Sequence, residues 1–417
     1  MTSPDPFAAD QRRRLHLRPG RERAMANRHP WIFDGSIERE QGPATAAIAD
    51  LFDRSGRRIA SGFYSMHSQI RMRALTFGDV ELTRDLIRQR IQDAISRRSS
   101  LLSPATDAVR MVHSEGDDLS GLVVDRYRDD AVIEITSAGF EQLKSIVVES
   151  VNEHLAPRLI TFKNNLSARK IEKLPLENEV IGNSHAPYGG GPGTPEGDEG
   201  AAEEVLISEN GLRFVVDSAT GQKTGFFLDQ RENRAITETH AYGRNVLNLF
   251  SYSGAFGVYA ARGGARSVDQ VDVSGAAIRL ARRNHELNGQ LEGVRFINAD
   301  AFEHLRVLTK SRERYGLIIC DPPAFAKSRG DVDKAGRGYK DVNLHALKLV
   351  ESGGYLMTFS CSGHISTELF QKIIFSAALD AGREVSIVKR LGAGADHPVS
   401  IYCPESEYLK GFLLQVH

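Results

Sequence analysis

The feature of this sequence that most constrains its fold is a set of three apolar runs, each ending in small or reactive residues. The runs are Val246–Phe250, Leu317–Cys320 and Tyr355–Ser360. They lead into a glycine loop at 251–257, into Asp321-Pro-Pro and into Cys361. Such runs are typical of buried parallel strands, whose carboxyl ends meet at one edge of a sheet. Ligands of open α/β sheets bind outside that edge, so we expect the loop, the carboxylate and the thiol to form one site.

The chain is long for a single domain, and its pattern changes along its length. A chain of 417 residues is expected to contain two or three domains. Residues 1–77 contain short alternating strands typical of a small β-barrel, and residues 78–184 combine helix and strand patterns in a central α+β unit. Glycine, proline and acids dominate 185–204, which indicates a flexible linker. Residues 205–417 form an α/β domain in this prediction, with a parallel sheet formed from 246 to the end.

Local patterns predict the elements of these domains. Barrel strands are expected at 31–33, 47–52, 58–64 and 70–75. Asp53–Gly56 and Asn210-Gly211 are hairpin-turn sequences. Apolar spacing predicts a helix over 82–102. In the central unit, strands at 121–137 and 157–162 are expected around a helix near 140–155.

Positive charge is concentrated at the amino-terminal end. Residues 1–77 contain thirteen arginines, no lysine and eight acids, whereas the whole chain has a net charge of −1. Arginine binds phosphate as a planar fork and stacks on bases. We therefore consider this region a candidate RNA-binding surface, with a solvated tail as the alternative for the first arginines. The candidate RNA-contacting arginines are Arg12, Arg14, Arg18 and Arg21.

The sequence shows neither a membrane-spanning segment nor a secretion signal. No stretch approaches the ~18 apolar residues that cross a bilayer, and the polar amino terminus lacks a signal-peptide core. The three cysteines, at 320, 361 and 403, cannot all pair in disulfides. We expect a cytoplasmic protein that does not enter a membrane.

The glycine loop favours S-adenosylmethionine over a dinucleotide. Its sequence, Ser-Tyr-Ser-Gly-Ala-Phe-Gly, has Gly254 and Gly257 only, and this is a poor match to the G-x-G-x-x-G cradle of a pyrophosphate. S-adenosylmethionine carries no phosphate and needs only a close backbone approach. Asp272 ends the next strand, where it can accept the ribose hydroxyls, and Asp300 follows the third strand, near the adenine. Either acid alone is also typical of a helix N-cap.

Asp321 and Cys361 predict the chemistry. Two prolines after Asp321 restrict the backbone and direct its carboxylate toward the pocket, and Phe325 is expected to stack on a base. Cys320 and Cys403 resemble small core hydrophobes. Cys361 differs because it follows a strand end between Ser360 and Ser362. A thiolate is required when carbon 5 of a pyrimidine is methylated, because its addition at C6 makes C5 nucleophilic.

The chain resembles the bacterial large-subunit ribosomal RNA cytosine-C5 methyltransferases over nearly its full length. The shared segments are Arg28–Phe33, Asp117–Arg126, Gly221–Arg231, Arg337–Asn343, Phe359–Gly363, Asp396–Val399 and Tyr408–Phe412. The resemblance implies a PUA-type RNA-binding barrel, a central α+β domain and a Rossmann-like class I methyltransferase domain, in an α/β protein. It also implies S-adenosylmethionine as cofactor and large-subunit ribosomal RNA as partner. A homodimer is compatible with it.

The resemblance also implies roles for individual residues of this chain. It implies Cys361 as nucleophile and Asp321 as the motif acid. The cofactor-binding residues it implies are Phe250, Ser251, Gly254, Phe256, Asp272, Asp300 and Gln230. Phe325 and Lys340, with the four arginines, are the expected substrate-binding residues. The insertion at 185–204 departs from the family, and Ala324-Phe325 replaces a proline-cysteine motif found in other RNA C5 enzymes, so the base that removes the C5 proton has no candidate.

Two alternative functions remain open at this point. One is N-methylation of a guanine in ribosomal RNA, which needs no cysteine and is therefore disfavoured by Cys361. The other is a non-catalytic RNA-binding assembly factor, which cofactor-binding calorimetry would distinguish. The arginine-rich barrel disfavours a small-molecule methyltransferase. The target nucleotide, and whether naked RNA or an assembled particle is the substrate, do not follow from the sequence.

Overall fold

The computed structural model of the chain describes residues 5–22, 26–182, 204–216, 224–326 and 328–417. The predicted linker therefore lies outside the described residues except for Glu204, as do Gly221–Lys223 of the shared segment. Two compact units are present. The first contains Met1–Val205, Val216–Phe226 and Asp396–Ser406, and the second contains Leu206–Val215, Phe227–Ala395 and Glu407–His417. Thus the predicted barrel and central domains fall in one unit, together with two segments assigned from sequence to the carboxy-terminal domain.

The first part of unit 1 is a six-stranded sheet with the order β2-β6-β5-β4-β1-β3. Its strands are β1 (Arg13–Leu17), β2 (Trp31–Phe33), β3 (Ile37–Gln41), β4 (Ile48–Phe52), β5 (Arg58–Tyr64) and β6 (Ile70–Phe77). The four expected strands are present. The arginine-rich run is itself a strand: Leu15 and Leu17 alternate into the core, and β1 pairs in parallel with β4.

The second part of unit 1 is a five-stranded sheet flanked by helices. Its strands, in the order β11-β10-β9-β8-β7, are β7 (Ala108–His113), β8 (Leu122–Tyr127), β9 (Asp130–Ile135), β10 (Leu159–Phe162) and β11 (Glu179–Gly182). The helices are α1 (Arg84–Arg98), α2 (Ala138–Gln142), α3 (Lys144–Leu155) and α4 (Ser167–Ile171). Thr83 begins α1 as an N-cap, since its side chain accepts from the Leu86 amide.

Unit 2 contains a hairpin and a seven-stranded sheet. The hairpin strands are β12 (Val205–Glu209) and β13 (Leu212–Val216), and both turn residues, Asn210 and Gly211, have positive φ. The sheet strands are β14 (Asn245–Leu249), β15 (Ser267–Asp272), β16 (Val294–Asn298), β17 (Tyr315–Cys320), β18 (Val350–Ser360), β19 (Val385–Gly392) and β20 (Lys410–Val416). The helices are α5 (Arg231–His240), α6 (Ala255–Arg262), α7 (Gly275–Leu287), α8 (Ala301–Leu308), α9 (Val332–Leu349) and α10 (Thr367–Ala381).

The order of the large sheet is β16-β15-β14-β17-β18-β20-β19. The first five strands are parallel, whereas β20 runs antiparallel to both of its neighbours. The expectation of a parallel sheet to the end of the chain was therefore wrong for β20, whose direction is reversed, whereas β19 runs in the direction of the first five strands. A parallel connection usually runs through a crossover helix, whereas the segment between β19 and β20 contains only a short 3-10 turn at Pro404–Ser406.

Apolar residues cover both faces of this sheet. Helices α8, α9 and α10 pack on one face around Leu247, Ile318 and Leu356. Helices α5 and α6 pack on the other face around Val246, Leu317 and Met357. Successive residues of each buried strand therefore point into opposite cores. Because both cores are apolar, the sequence of each strand is a continuous apolar run. Within the described ranges, none of the helices combines the length and apolar character needed to span a bilayer.

Candidate active site at the carboxyl ends of the sheet

The glycine loop after β14 is shaped by its backbone conformation. Phe250, Tyr252 and Gly254 all have positive φ, and the Gly254 amide donates to Ser251 O at 2.7 Å. A Cβ on Gly254 would lie 2.7 Å from the Ala281 Cβ. Glycine is therefore required at 254 both by φ, which is +71°, and by the close approach of α7.

Gly257 is small for a different reason. An added Cβ would lie 1.8 Å from Nε2 of Gln270, which donates to Gly254 O at 2.9 Å. The same Gln270 amide accepts from Asn248 and contacts His285 Nε2 at 2.8 Å. Gly257 therefore leaves room for the buried Gln270 side chain, which supports the loop through its hydrogen bond to Gly254 O.

Asp272 lies beside this loop, as predicted. Its Oδ2 accepts from the Tyr252 amide at 2.9 Å and its Oδ1 accepts from the Ser274 amide at 2.8 Å. Each carboxylate oxygen can accept more than one hydrogen bond, so acceptor positions remain for ligand hydroxyls. The adjacent Val273 side chain is exposed.

Two other predicted cofactor residues have structural roles in the fold. Asp300 is the N-cap of α8, with Oδ1 accepting from the amides of Phe302 and Glu303. Phe256 is buried, and its ring lies 5.9 Å from that of Phe359. Asp300 is exposed and keeps a second carboxylate oxygen for a ligand. Phe256, in contrast, is a core residue beneath the loop, which argues against direct cofactor contact.

Ser251 supplies an observation that fits a bound cofactor. Its hydroxyl oxygen is buried, yet it has no hydrogen-bond partner among the described residues. A buried hydroxyl without a partner costs about 1–3 kcal/mol. A ligand lying along the loop between Ser251 and Asp272 would satisfy this hydroxyl and the free acceptor positions of the carboxylate. The residues present therefore fit S-adenosylmethionine, with its polar amino-acid and ribose groups.

Asp321 directly follows β17 and is hydrogen-bonded by a residue that is distant in sequence. Gln230, which is buried, donates from Nε2 to Asp321 Oδ2 at 2.9 Å. The Gln230 Oε1 accepts from Asn233, whose amide also donates to Gly392 O. Gln230 is one of the cofactor-binding residues that the family resemblance implies. Its contact in the structure is with the motif acid, so it orients the Asp321 carboxylate.

Cys361 lies directly beyond β18. It is partly exposed, whereas Cys320 and Cys403 are buried. Burial raises the pKa of the Cys320 thiol, and it raises that of Cys403 to about 12. The Cys361 thiol is 3.8 Å from the carbonyl oxygen of Pro322. The predicted nucleophile and the Asp-Pro-Pro segment are therefore brought together.

Three residues around Cys361 support its loop. The hydroxyls of Tyr339 and Ser362 share a hydrogen bond of 2.9 Å, and Ser362 Oγ also accepts from the Ala326 amide. Lys410 Nζ donates to Ser362 O at 2.8 Å and to Ile365 O at 2.7 Å. Tyr339 and Lys410 lie in segments noted for their family resemblance, but sequence reasoning assigned neither a role. Their roles become visible only in the structure, where β20 pairs with β18 and α9 packs beside the Cys361 loop.

Phe325 belongs to a row of aromatic rings. Its ring centroid is 4.6 Å from that of Tyr339 and 5.8 Å from that of Phe302. The ring is partly buried, and Gly338 leaves space for it, since an added Cβ would lie 3.3 Å away. Phe325 is thus fixed in place, with part of its surface open. Stacking on a base remains a prediction.

The predicted RNA-contacting residues differ in accessibility. Arg12 is buried, where it pairs with Asp50 at 3.3 Å and Glu81 at 2.8 Å and donates to Leu82 O. The expectation that Arg12 contacts substrate is therefore corrected: its guanidinium stabilises the barrel. Lys340 pairs with Asp380 of α10 at 2.7 Å.

The other three arginines predicted to contact RNA, Arg14, Arg18 and Arg21, are exposed. Arg14 lies over the Phe52 ring, with its guanidinium carbon 4.3 Å from the centroid. Arg18 donates from Nε to Ile37 O at 2.8 Å. These side chains present guanidinium groups to solvent, which leaves Arg14, Arg18 and Arg21 as candidates for phosphate contact.

Comparison with known proteins identifies the family. A family model described as S-adenosylmethionine-dependent methyltransferase matches residues 197–398, and a PUA-like domain model matches residues 15–77. A protein of Photobacterium profundum named ribosomal RNA large subunit methyltransferase I is 39% identical over 96% of this chain and 99% of its own length. A protein of the same name from Tolumonas auensis is 40% identical over 96% and 98%.

The chain belongs to the ribosomal RNA large subunit methyltransferase I family. It is an S-adenosylmethionine-dependent methyltransferase with a PUA-like domain. The expectations of fold class and cofactor are thereby confirmed.

Solved structures agree with this fold. A methyltransferase crystallised with S-adenosylhomocysteine superposes with a TM-score of 0.80 at 21% identity, over 96% of this chain and 99% of the other. A methyltransferase from Streptococcus mutans gives a TM-score of 0.78 at 21% identity, over the same shares. Both likenesses concern the fold of this chain.

Proposed function

We propose that this protein methylates carbon 5 of a cytosine in large-subunit ribosomal RNA through a covalent adduct of Cys361. The observation that carries the proposal is the placement of Cys361. It is the partly exposed cysteine of the chain, and its sulfur is 3.8 Å from the carbonyl of Pro322, next to Asp321. The names of the relatives, ribosomal RNA large subunit methyltransferase I, support the substrate class.

In the proposed reaction, each of these residues has a separate role. Bound S-adenosylmethionine supplies an electrophilic methyl group. The Cys361 thiolate adds to C6 of the cytosine, so that electron density moves to C5, which takes the methyl group as the methyl–sulfur bond breaks and S-adenosylhomocysteine leaves. Asp321, oriented by Gln230, accepts a hydrogen bond from the 4-amino group of the ring or, when protonated, donates one to N3. A base then removes the C5 proton, the C5–C6 double bond reforms and the thiolate leaves.

Cofactor binding is assigned to the loop and strand ends described above. Asp272 would accept hydrogen bonds from the ribose hydroxyls, and the Ser251 hydroxyl would form a hydrogen bond with a polar group of the cofactor. The backbone atoms of Phe250 and Gly254 would line the site. Asp300 would lie near the adenine while it caps α8. A target base held inside a folded RNA must leave its stack to reach Cys361.

RNA binding is assigned to the exposed arginines of the PUA-like barrel. Arg14, Arg18 and Arg21 would contact phosphates, which position an RNA without reading its sequence. Their contribution should weaken with salt, because each phosphate contact releases counterions. The barrel matches the PUA-like family model over residues 15–77.

The alternative of guanine N-methylation is less well supported. Nitrogen methylation needs no thiolate, and it would leave unexplained a partly exposed cysteine between two buried serines. A non-catalytic assembly role would leave unexplained the placement of the partly exposed Cys361 thiol beside the Asp321-Pro-Pro segment.

RNA containing 5-fluorocytidine tests the proposal. Fluorine at C5 cannot leave as a cation, so the adduct persists once the methyl group is transferred. A denaturant-stable protein–RNA complex that requires S-adenosylmethionine is expected for the unmodified protein. Cys361→Ala should lose both trapping and turnover, whereas Cys403→Ala and Cys320→Ala should keep both. Methylation by Cys361→Ala at a comparable rate would refute the C5 mechanism and favour attack by a nitrogen.

A further inference from the structure

We propose that the buried Lys410 ammonium is the counter-charge that holds Cys361 as a thiolate. The inference rests on the proposed role of Cys361 as nucleophile and adds a positioning residue to it. Lys410 does not react with the substrate in this proposal. It acts through the cysteine.

The sheet places the lysine and the cysteine together. Lys410 is the first residue of β20 and is directly opposite Ser360, the last residue of β18. Cys361 follows immediately. The antiparallel register is continued along the strands by Thr358 opposite Phe412 and Leu356 opposite Leu414. The start of β20 therefore cannot move away from the thiol without a shift of the whole pair of strands.

Lys410 is buried but still needs a counter-charge. Its exposed fraction is 3%, and its Nζ donates to the carbonyl oxygens of Ser362 and Ile365. An ammonium has three N–H groups, so one donor remains after these two bonds. Among the described residues, no carboxylate lies within ion-pair distance of Nζ. Buried charges are normally paired with an opposite charge, because desolvation is costly.

The electrostatics connect the two groups. Burial lowers the pKa of Lys410, while the negative charges of Cys361 and of the exposed Glu407 act to raise it. Interaction between charges is mutual: a thiolate that favours the ammonium is itself favoured by the ammonium. Two other described titratable groups lie on elements packed around the Cys361 loop, and neither is a cation. Asp321, which follows β17, is acidic, and burial raises the pKa of Tyr339, from α9, so that it stays neutral.

A purely structural role is the competing explanation. Lys410 also holds the loop after Cys361 through its two carbonyl bonds, and a loss of activity in any variant would not separate the two roles. Charge and hydrogen bonding are separated by comparing Lys410→Gln, which keeps two N–H donors without charge, with Lys410→Arg, which keeps charge and donors. Lys410→Met removes both. Lys372→Met, which removes an exposed lysine of α10, is the matched control.

The experiment measures alkylation of Cys361 by iodoacetamide against pH, with the modified peptide quantified by mass spectrometry. The thiolate is the reactive form. The pH midpoint of alkylation should rise by about one unit or more in Lys410→Gln and Lys410→Met, which corresponds to at least about tenfold less thiolate at a pH below both midpoints. Lys410→Arg and Lys372→Met should keep the midpoint of the unmodified protein.

Two outcomes would overturn the proposal. One is an unchanged midpoint in Lys410→Gln or Lys410→Met, in protein with an unchanged melting temperature. The other, which applies even if the uncharged variants fail to fold, is an unmodified protein whose midpoint matches that of a free cysteine peptide. Alkylation requires neither RNA nor methyl transfer. A failure of 5-fluorocytidine trapping with a raised midpoint in the variants would therefore refute the proposed function and leave the pairing of Lys410 with Cys361 intact.

Discussion

The side-chain amide of Gln230 donates a 2.9 Å hydrogen bond to the carboxylate of Asp321. The two residues are 91 positions apart and meet where the segment before α5 crosses the end of β17. Gln230 is in turn fixed by Asn233 at 2.6 Å. The motif acid therefore has a defined orientation before any ligand binds, and this makes the contact a direct target for mutation.

Removal of Gln230 should impair turnover more than cofactor binding. Gln230→Ala takes one donor from a charged acceptor, a loss of about 1.5–3 kcal/mol that corresponds to roughly 10–100-fold in kcat. Single-turnover methylation and cofactor calorimetry would measure the two effects separately. Gln371→Ala, at an exposed glutamine of α10, should behave like the unmodified protein. A normal kcat in Gln230→Ala would show that Asp321 does not depend on this contact.

Asp272 should determine cofactor affinity. Asp272→Ala removes the carboxylate acceptor expected to bond the ribose, and the loss of hydrogen bonds to a charged group should cost about 1.5–3 kcal/mol of binding free energy. Isothermal titration calorimetry with S-adenosylmethionine gives this value. Asp333→Asn changes an exposed acid of α9 and should leave affinity unchanged. If Asp272→Ala binds like the unmodified protein, the ribose assignment at the end of β15 is incorrect.

The two kinds of arginine in the barrel should give different phenotypes. Arg14→Gln and Arg21→Gln remove exposed guanidinium groups, so each should weaken RNA binding and lower the slope of log affinity against log salt by roughly 0.7–0.9. Arg12→Gln breaks buried pairs with Asp50 and Glu81 and should lower the melting temperature. Filter binding over a salt series and thermal melts distinguish these outcomes. Equal salt slopes in all variants would remove the barrel arginines from the RNA interface.

Gly257 should not tolerate even a methyl group. Gly257→Ala places a Cβ against Gln270 Nε2 and breaks its bond to Gly254 O, so we expect destabilisation by about 1–3 kcal/mol and weaker cofactor binding. Gly336→Ala is the matched control in α9, because an added Cβ there meets the Ile373 side chain at an ordinary 3.7 Å. It should be neutral or stabilising by up to about 1 kcal/mol. Chemical denaturation measures both, and an unaffected Gly257→Ala protein would contradict the packing argument.

His285 should contribute to acid destabilisation. Burial lowers its pKa from 6.5 to about 4, and its neutral ring lies between Gln270 Nε2 and Gln290 O. Because the unfolded chain binds the proton more readily, this contribution is fully present above pH 6.5 and is lost as the pH falls toward 4. The loss amounts to about 3 kcal/mol.

The free energy of unfolding of the unmodified protein should therefore fall more steeply over this pH range than that of His285→Gln. His364→Gln, at an exposed histidine, should keep the steep dependence. Parallel slopes for the unmodified protein and His285→Gln would show that His285 does not remain neutral in the folded state.

Much of the fold followed from local patterns. Four of the six strands of the barrel, the helix after residue 82 and the five parallel strands of the large sheet were predictable, because alternating patterns and apolar runs indicate which residues of a strand are buried. The meeting of the glycine loop, Asp321 and Cys361 at one edge was predictable for the same reason: parallel strands end together. The match to known families confirms the cofactor that the loop and its acids indicate.

The tertiary structure decided which residues support that site. Arg12 is buried while Arg14 is exposed, because the fold brings Asp50 and Glu81 to the Arg12 guanidinium. The last two strands run antiparallel, because the chain between them has no crossover helix, and this return brings Lys410 opposite Ser360. Gln230 reaches Asp321 only after folding. The sequence by itself determined which groups stand at the strand ends, since that depends on neighbours in the chain. Their partners depend on strand order and register, which are set by packing across the whole sheet.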